Sequence, residues 1–259
     1  MRTIAICTQK GGVGKTTTTA NLAAAWGSQG HAVLAIDFDP QFALTRRFGV
    51  DPSRTHTIYD VLEAAVLRDA APIKIDDAII NSGLPGVDVI ASRRELANIE
   101  LTLAGLPRRE LVLRRALGAM QARYDFVLLD CPPNLGLLTI NALCAADEAV
   151  IPIDMKSVDA LSGAEELIAT AQALEEDAPK ITALVRNRVE GTRLLRRRVF
   201  RAIQSELGEL GLPVAATFIP ARDAFEHAAI RHVPLVALEP DHTGSEAFRQ
   251  LARELEAAA

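Results

Sequence analysis

The stretch Thr3-Ile-Ala-Ile-Cys-Thr-Gln-Lys-Gly-Gly-Val-Gly-Lys-Thr-Thr17 places an apolar run directly before a glycine-rich loop and the start of a helix-forming segment. Glycines lack a Cβ, so their backbone N–H groups can approach an anion closely. A helix that starts right after the loop directs the positive end of its dipole at the same anion. Residues 10–17 are therefore predicted to be a phosphate-binding loop (P-loop) between the first strand and the first helix of an α/β domain.

Two side chains of the P-loop have the chemistry that a bound polyphosphate requires. Lys15 can reach the β- and γ-phosphates, and the hydroxyl of Thr16 can bind Mg²⁺. The usual motif has a glycine where this chain has Gln9, and it does not require the additional lysine, Lys10, to hold one nucleotide. We expect the remaining positions to surround the phosphates with backbone groups: Gly11, Gly12, Val13, Gly14 and Thr17.

Length and composition leave room for one large α/β domain or two small ones. The chain has 259 residues, of which 49% are hydrophobic and 24% charged, and its formal net charge is −5. This balance argues against a protein that is basic overall, but it does not exclude a local basic patch.

No apolar stretch approaches the ~20 residues that span a bilayer, and the first strand begins too early for a signal peptide. The cysteines (Cys7, Cys131 and Cys144) lack paired metal-ligand spacing, which favours a reduced, cytoplasmic protein.

Short apolar runs alternate with helix-length amphipathic segments along the chain. The runs are nearly continuous in apolar residues, as in strands covered on both faces: 3–8, 32–36, 87–91, 126–129, 149–153, 181–185 and 214–219. The clearest helical segments are 16–28, 157–176, 193–210 and 245–257, the last preceded by a capping box from Thr243 to Glu246. The pattern predicts one domain over residues 1–259, a doubly wound, mostly parallel sheet flanked by helices, of the P-loop NTPase type.

Aspartates stand at the ends of two predicted strands. Asp37 and Asp39 follow the run 32–36, and Asp130 follows the run 126–129. In a parallel sheet these ends lie at the same edge as the P-loop, where a carboxylate can hold a metal's water shell or orient an attacking water. Aspartates at strand ends also start turns or cap the next helix.

Three segments together resemble the ParA/MinD family of deviant Walker ATPases: residues 10–23, Ile36-Asp-Phe-Asp-Pro-Gln41 and residues 128–143. The likeness is greatest to the ParA branch, the ATPases that segregate plasmids and chromosomes. It extends over residues 2–256 and is strongest up to about residue 165. The resemblance implies a P-loop ATPase that binds ATP and Mg²⁺ and forms a homodimer in the ATP state.

The same resemblance implies a role for each charged residue of the site. In the family, the first lysine of the loop reaches across the dimer to the partner's phosphates, and that position is Lys10 here, with Lys15 as the contact in cis. Asp39 matches the carboxylate that positions the attacking water, and Asp37 matches its supporting acid. The positions associated with magnesium correspond to three side chains: Thr16, Asp130 and Asp39.

The residues that would bind adenine are Asn187 and Pro220. In the family, an asparagine after the sixth strand and the backbone near an Ile-Pro step recognise the base, and these two residues occupy the corresponding places. An asparagine side chain can donate to and accept from adenine. An asparagine at this place can also simply form a turn.

A local basic cluster contrasts with the acidic average of the chain. Residues 186–201 contain seven arginines and one acid, Glu190. On a helix that starts near Thr192, arginines three and four residues apart form one stripe, which suits the phosphates of duplex DNA. A charged face that only contacts solvent is the alternative. The residues predicted to bind DNA are Arg193, Arg196, Arg197 and Arg201 together with Arg222, which lies in the Ile-Pro segment where the family has further arginines.

The resemblance further implies non-specific binding to double-stranded DNA, a ParB-like adaptor protein and a location at the nucleoid in the cytoplasm. Two alternatives retain the ATPase activity but differ in the surface or the cargo. One is a MinD-like ATPase on a membrane, and the other is a ParA-like ATPase that positions a protein cargo such as a chemoreceptor array. The C-terminal segment 248–259 has mixed charge and ends in alanines, so we expect no membrane binding. The metabolic and reductase relatives that share the loop are a third alternative, which Cys131 and Cys144 do not favour.

Overall fold

The computed structural model describes residues 1–66, 73–120, 123–156, 161–190, 205, 207–208 and 211–258. The strands within these residues are β1 (Arg2–Ile6), β2 (Val33–Asp37), β3 (Ile79–Leu84), β4 (Val87–Ile90), β5 (Phe126–Asp130), β6 (Glu148–Asp154) and β7 (Lys180–Asn187). They form one sheet in the order β3-β4-β2-β5-β1-β6-β7. Every neighbouring pair is parallel except β3 and β4. The predicted mostly parallel α/β fold is confirmed.

Helices cover the sheet between the strands. The described α-helices are α1 (Lys15–Ser28), α2 (Ala43–Arg47), α3 (Ile58–Val66), α4 (Ile99–Leu103), α5 (Val112–Gly118), α6 (Leu137–Ala145), α7 (Ser162–Gln172), α8 (Ala224–Ile230), α9 (Leu235–Leu238) and α10 (Thr243–Ala257). Single 3₁₀ turns occur at Pro52–Arg54, Ile75–Ala78, Arg94–Asn98, Arg109–Leu111 and Glu175–Asp177. None of the described helices combines the length and the apolar character needed to cross a bilayer.

The apolar core has two parts, one on each face of the sheet. Along β1, Ile4 and Ile6 pack in the part formed with α1 and α10, whereas Ala5 and Cys7 pack in the other part. Successive strand residues point to opposite faces, so a strand covered on both faces must be apolar throughout. Trp26 of α1 stacks on Phe126 of β5 with ring centroids 4.2 Å apart. This packing fixes α1, and with it the P-loop, over the centre of the sheet.

The segment 214–219 is not a regular strand, so that prediction is wrong. Its sheet-like pairing is limited to isolated bridges, between Leu184 and Val214 and between Val189 and Pro220. Side chains satisfy the backbone groups in the middle of the segment: Arg186 donates to the carbonyls of residues 215 and 216, and Glu254 accepts from the N–H groups of residues 216 and 217. Backbone hydrogen bonds to β7 and Val189 thus remain at the two ends of the segment, and side-chain contacts replace them in the middle.

Two other predictions differ from the structure. β3 was not predicted, and its alternating exposure and its place at the edge of the sheet explain the weak apolar signal in residues 79–84. The predicted capping box at Thr243 is wrong, because α10 is capped by His242, whose Nδ1 accepts from the N–H of Gly244 at 3.0 Å. The predicted helix 157–176 is observed as α7 followed by a 3₁₀ turn, and residues 157–160 lie outside the described part of the chain.

We expect Gly27→Ala to lower the free energy of unfolding by about 1–3 kcal/mol, because the methyl group overpacks a close contact between α1 and the β3–β4 turn. A Cβ at Gly27 would lie 2.2 Å from the carbonyl oxygen of Pro85 and 2.6 Å from Cγ2 of Val87. In the matched control, Gly118→Ala, the new Cβ has no described heavy atom within 4 Å, and alanine favours the helix. Urea unfolding followed by circular dichroism measures both variants. A Gly27→Ala protein as stable as the wild type contradicts this expectation.

Candidate active site

The P-loop joins the end of β1 to the start of α1 at the carboxyl edge of the sheet. Gly12 and Gly14 adopt the left-handed backbone conformation, with φ angles of 74° and 96°, and Gly14 is the N-cap of α1. A Cβ on Gly14 would also lie 2.3 Å from Nδ2 of Asn187. Glycine is therefore required at these two positions, and the loop presents the first N–H groups of α1, which have no partner within the helix, to an anion.

Lys15 is buried, and its ammonium group turns back toward the P-loop. Nζ donates to the carbonyl oxygens of Thr8 and Lys10, each at 3.2 Å. Burial lowers the pKa of Lys15, whereas the carboxylate of Asp130 acts in the opposite direction. An anion that enters the loop thus meets a positive charge that is already positioned.

Asp130 ends β5, and its carboxylate is fully buried against α1. Oγ1 of Thr16 donates to Oδ2 at 2.8 Å, and Oγ1 of Thr19 donates to Oδ1 at 3.3 Å. Burial raises the pKa of Asp130 and the neighbouring Asp37 raises it further, while the hydrogen bond from Thr16 opposes both. A hydroxyl and a carboxylate so close together fit the coordination shell of a hydrated divalent cation.

Asp37 ends β2 and pairs with Asp130 in the register of the sheet. Its Oδ2 accepts from the backbone N and Oγ1 of Thr45, both at 2.7 Å, and its Oδ1 accepts from the backbone N of Asp39 at 3.2 Å. Burial raises the pKa of Asp37 to about 7, although the hydrogen bonds from Thr45 lower it. Asp37 therefore fixes the segment that carries Asp39 and begins α2.

Asp39 is anchored on both its side chain and its backbone. Oδ1 accepts from the backbone N of Gln41 at 2.8 Å, and the carbonyl of Asp39 accepts from the hydroxyl of Ser92 at 2.9 Å. Burial raises the pKa of Asp39, whereas the hydrogen bond from Gln41 and the ammonium of Lys15 lower it. The arrangement holds a carboxylate at a defined place opposite Lys15.

Two adjoining cavities lie at this edge of the sheet. The phosphate pocket has a volume of about 280 Å³ and is lined by Lys15, Thr16 and Asp39 among others. The wide cavity has a volume of about 600 Å³ and is lined by Asn187, Pro220 and α8 among others. Four of the described residues line both cavities: Gly14, Thr17, Arg47 and Arg188. This arrangement fits a phosphate chain that continues into a larger group.

The predicted adenine residues lie together in the wide cavity. Nδ2 of Asn187 donates to the carbonyl oxygen of Val13 at 2.8 Å, and Oδ1 accepts from the backbone N of Arg188 at 2.9 Å. Asn187 is 4% exposed, so it supports the P-loop from behind as well as lining the cavity. Recognition of the base by Asn187 and Pro220 stays a prediction.

The remaining predicted residues lie at the periphery of the site or beyond the described chain. Lys10 is half-buried and lies beside Gly163 of α7, where an added Cβ would be 3.4 Å from the Cβ of Lys10. Arg222 is exposed at the rim of the wide cavity, and its Nη1 donates to the carbonyl oxygen of Ala221 at 2.8 Å. The other predicted DNA-binding residues lie outside the described residues: Arg193, Arg196, Arg197 and Arg201.

Sequence reasoning missed several residues that shape the site. Thr45 donates hydrogen bonds to Asp37 at the end of β2, and Ser92 donates one to the carbonyl of Asp39. Arg47 lines both cavities. The signal for Thr45 was its place eight residues after Asp37, at the start of a helical segment. Ser92 comes from a distant part of the chain, so no local pattern connects it with the P-loop.

The fold and the loop place the chain among the P-loop nucleotide-hydrolysing proteins. Residues 1–183 match the family model described as an AAA domain. The sporulation initiation inhibitor protein Soj of Bacillus subtilis strain 168 is 34% identical over 98% of this chain and 98% of its own length. The chromosome partitioning protein ParA of Caulobacter vibrioides is also 34% identical, over 98% of this chain and 94% of its own length. The chain belongs to the ParA/MinD family of ATPases, as its sequence motifs indicated.

Solved structures agree with this assignment. Cobyrinic acid a,c-diamide synthase from Mycobacterium smegmatis, with bound ADP and magnesium, is 29% identical with a TM-score of 0.81, covering 98% of this chain and 93% of that protein. The septum site-determining protein MinD from Pyrococcus horikoshii, complexed with Mg-ADP, is 26% identical with a TM-score of 0.75, covering 100% of this chain and 98% of that protein. The predicted fold class and family are thus confirmed.

We expect Lys15→Met to abolish the rise in Tm that pyrophosphate produces in the wild-type protein. The ligand stabilises the folded state by about 2.7 kcal/mol at 100 times its Kd, and Lys15 supplies the positioned charge. The ligand-free variant should itself be less stable, because Asp130 then lies buried without its compensating charge, so the shift of each protein is measured from its own ligand-free Tm. Lys180→Met is the control, since Lys180 begins β7 at the opposite edge of the sheet. A full ligand-induced shift in Lys15→Met refutes the assignment.

Proposed function

We propose that the chain is a ParA-type ATPase that segregates or positions chromosomal or plasmid DNA, acting as an ATP-dependent homodimer with a ParB-like adaptor. The observation that carries the proposal is the likeness to Soj and ParA over nearly the whole chain. The additional lysine at the start of the P-loop, Lys10, supports a dimer in which each subunit completes its partner's site. The proposed location is the nucleoid in the cytoplasm.

The residues of the phosphate pocket fit ATP with Mg²⁺. The left-handed glycines shape a loop for phosphate oxygens, and Thr16 lies 2.8 Å from the carboxylate of Asp130. Thr16 would hold the metal directly, and Asp130 and Asp39 would hold its water ligands. Bound Mg²⁺ neutralises charge on the β- and γ-phosphates during phosphoryl transfer. A nucleotide oriented in this way places adenine in the wide cavity beside Asn187 and Pro220.

Hydrolysis needs a water held in line with the γ-phosphate, and Asp39 is the carboxylate placed for that task. Asp39 is fixed through Gln41, Ser92 and Asp37, so its carboxylate is already held in place before the substrate arrives. Lys15 stabilises the negative charge that develops on the phosphates in cis. Lys10 of a second subunit would add a cation on the other side. Because that cation comes from the partner, dimerisation and turnover depend on each other.

The C-terminal helix supports this proposal over the MinD-like membrane alternative. Phe248, Leu251 and Leu255 of α10 are at most 1% exposed and pack against α1. A helix that binds a membrane surface must present its apolar face to lipid, whereas this face is part of the protein core. DNA, bound through the arginines of residues 193–201 and Arg222, is therefore the proposed surface on which the dimer acts.

We expect Lys10→Ala to bind MgATP with an affinity near that of the wild type, yet to remain monomeric and lose adaptor-stimulated turnover. The reason is that the trans contact is made only in the dimer, while Lys15 serves the subunit's own nucleotide. Isothermal titration measures binding, and light scattering with MgATP measures dimerisation. Lys180→Ala, changed at the opposite edge of the sheet, should dimerise normally. ATP-dependent dimerisation of Lys10→Ala at wild-type concentrations disproves the trans role.

We expect Asp39→Ala to be retained on double-stranded DNA in MgATP, because the dimer forms but does not hydrolyse its nucleotide. Reversal of Arg193, Arg197 and Arg201 to Glu in this background should abolish retention, and retention of Asp39→Ala should itself fall steeply with salt. A second triple reversal, at the exposed Arg54, Arg94 and Arg108, changes the net charge equally and serves as the control. Gel-shift titration measures all three proteins. Equal loss in both triple variants refutes a localised DNA surface, and rapid ATP turnover by Asp39→Ala refutes its role.

A further inference from the structure

Arg47 lies at the junction of the phosphate pocket and the wide cavity. It is the last residue of α2, and its side chain lines both the phosphate pocket and the wide cavity. The adjacent Arg46 is exposed and lies over the ring of Phe42, at 4.7 Å from the ring centroid. Two consecutive arginines thus have different environments, and only the second faces the candidate ligand site.

The positively charged guanidinium of Arg47 is poorly satisfied by hydrogen bonds to the described residues. It is half-buried, and the hydrogen bond that the described residues provide is a long one, from Nη1 to the carbonyl oxygen of Phe225 at 3.4 Å. Burial lowers the pKa of Arg47, and Asp130 acts in the opposite direction without forming an ion pair. Arg188, which lines the same two cavities, is instead paired with Asp154 at 3.2 Å. A guanidinium has five N–H donors, so Arg47 can still bind an anion in the cavities.

The two cavities define which part of a ligand lies beside Arg47. Lys15, Thr16 and Asp39 occupy the phosphate pocket, where the terminal phosphates and the metal would lie. Asn187 and Pro220 line the wide cavity, where the base would lie. Gly14, Thr17, Arg47 and Arg188 line both. The group that passes this junction in a nucleoside polyphosphate is the α-phosphate with its ribose.

We propose that Arg47 binds the α-phosphate of the nucleotide. This inference rests on the proposed function, because it assumes a nucleoside polyphosphate in the P-loop. The α-phosphate is present before and after hydrolysis, so Arg47 contributes equally to the affinity for ATP and ADP. It differs in this respect from Lys10 and Asp39, which act at the γ-phosphate. Through the carbonyl of Phe225, the same guanidinium also connects α2 to α8.

The test compares Arg47→Met with Arg46→Met in the full-length protein. Methionine keeps the apolar stem and removes the charge, and Arg46→Met removes the neighbouring charge from a solvent-exposed place. Isothermal titration with MgATP and with MgADP measures Kd for each protein. For Arg47→Met we expect a rise in Kd of about tenfold or more for both nucleotides, as for loss of one charge-assisted hydrogen bond. The ratio of the two Kd values should stay within about twofold of the wild type, and Arg46→Met should bind like the wild type.

A third variant separates binding from folding. Arg47→Lys keeps a positive charge but loses the planar fork, so its affinity should lie between those of the wild type and Arg47→Met even if Arg47→Met is less stable. Unchanged affinity in a folded Arg47→Met protein overturns the inference and leaves the proposed function intact. A loss confined to MgATP also overturns it, because that result assigns the contact to the γ-phosphate. Failure of the wild type and of Arg46→Met to bind either nucleotide overturns the proposed function itself and the inference with it.

Discussion

The carboxylate of Asp130 is the group on which the site depends. It is buried at the centre of the sheet's carboxyl edge, where an unpaired charge is costly, and Thr16 and Thr19 of α1 supply its hydrogen bonds. The contacts fix the first turn of α1 relative to β5, and so they fix the P-loop that ends in that turn. Lys15 brings the compensating positive charge into the same small volume. Stability of this edge and affinity for a polyanion therefore have a common origin.

A second layer of contacts connects the P-loop with the segment after β2. Asp37 holds Thr45, Thr45 accepts from the backbone of Ser92, and Ser92 in turn holds the carbonyl of Asp39. The chain of contacts is closed, so a shift of Asp39 must be shared with α2. Because α2 ends at Arg47, the two ends of one short segment reach different parts of the ligand site. In the proposed mechanism, Asp39 at one end of this segment meets the γ-phosphate and Arg47 at the other end meets the α-phosphate.

The sequence was most informative where one local pattern fixes both structure and chemistry. The P-loop requires glycines at 12 and 14 for its backbone, and the adjoining strands are buried on both faces, so loop, sheet and acids were predictable together. The structures of β3 and of segment 214–219 were not predictable in this way. Within the described part of the chain, strand β3 has only one neighbouring strand, because it lies at the edge of the sheet. In segment 214–219, the side chains of Arg186 and Glu254 pair with backbone groups that would otherwise bond to a strand. The proposed role of Arg47 depends on its place in the lining of two adjoining cavities, which only the folded chain forms.

The stacking of Trp26 on Phe126 has a spectroscopic consequence. The chain contains one tryptophan, and its indole is fully buried between α1 and β5. Its Nε1 has no hydrogen-bond partner among the described residues. Tryptophan fluorescence, excited at wavelengths that the two tyrosines do not absorb, therefore comes from a single indole in an apolar setting, so this emission is blue-shifted and shielded from aqueous quenchers. Since α1 begins at the P-loop and Phe126 begins the strand that ends in Asp130, this emission reports directly on small movements between the two elements that form the phosphate pocket.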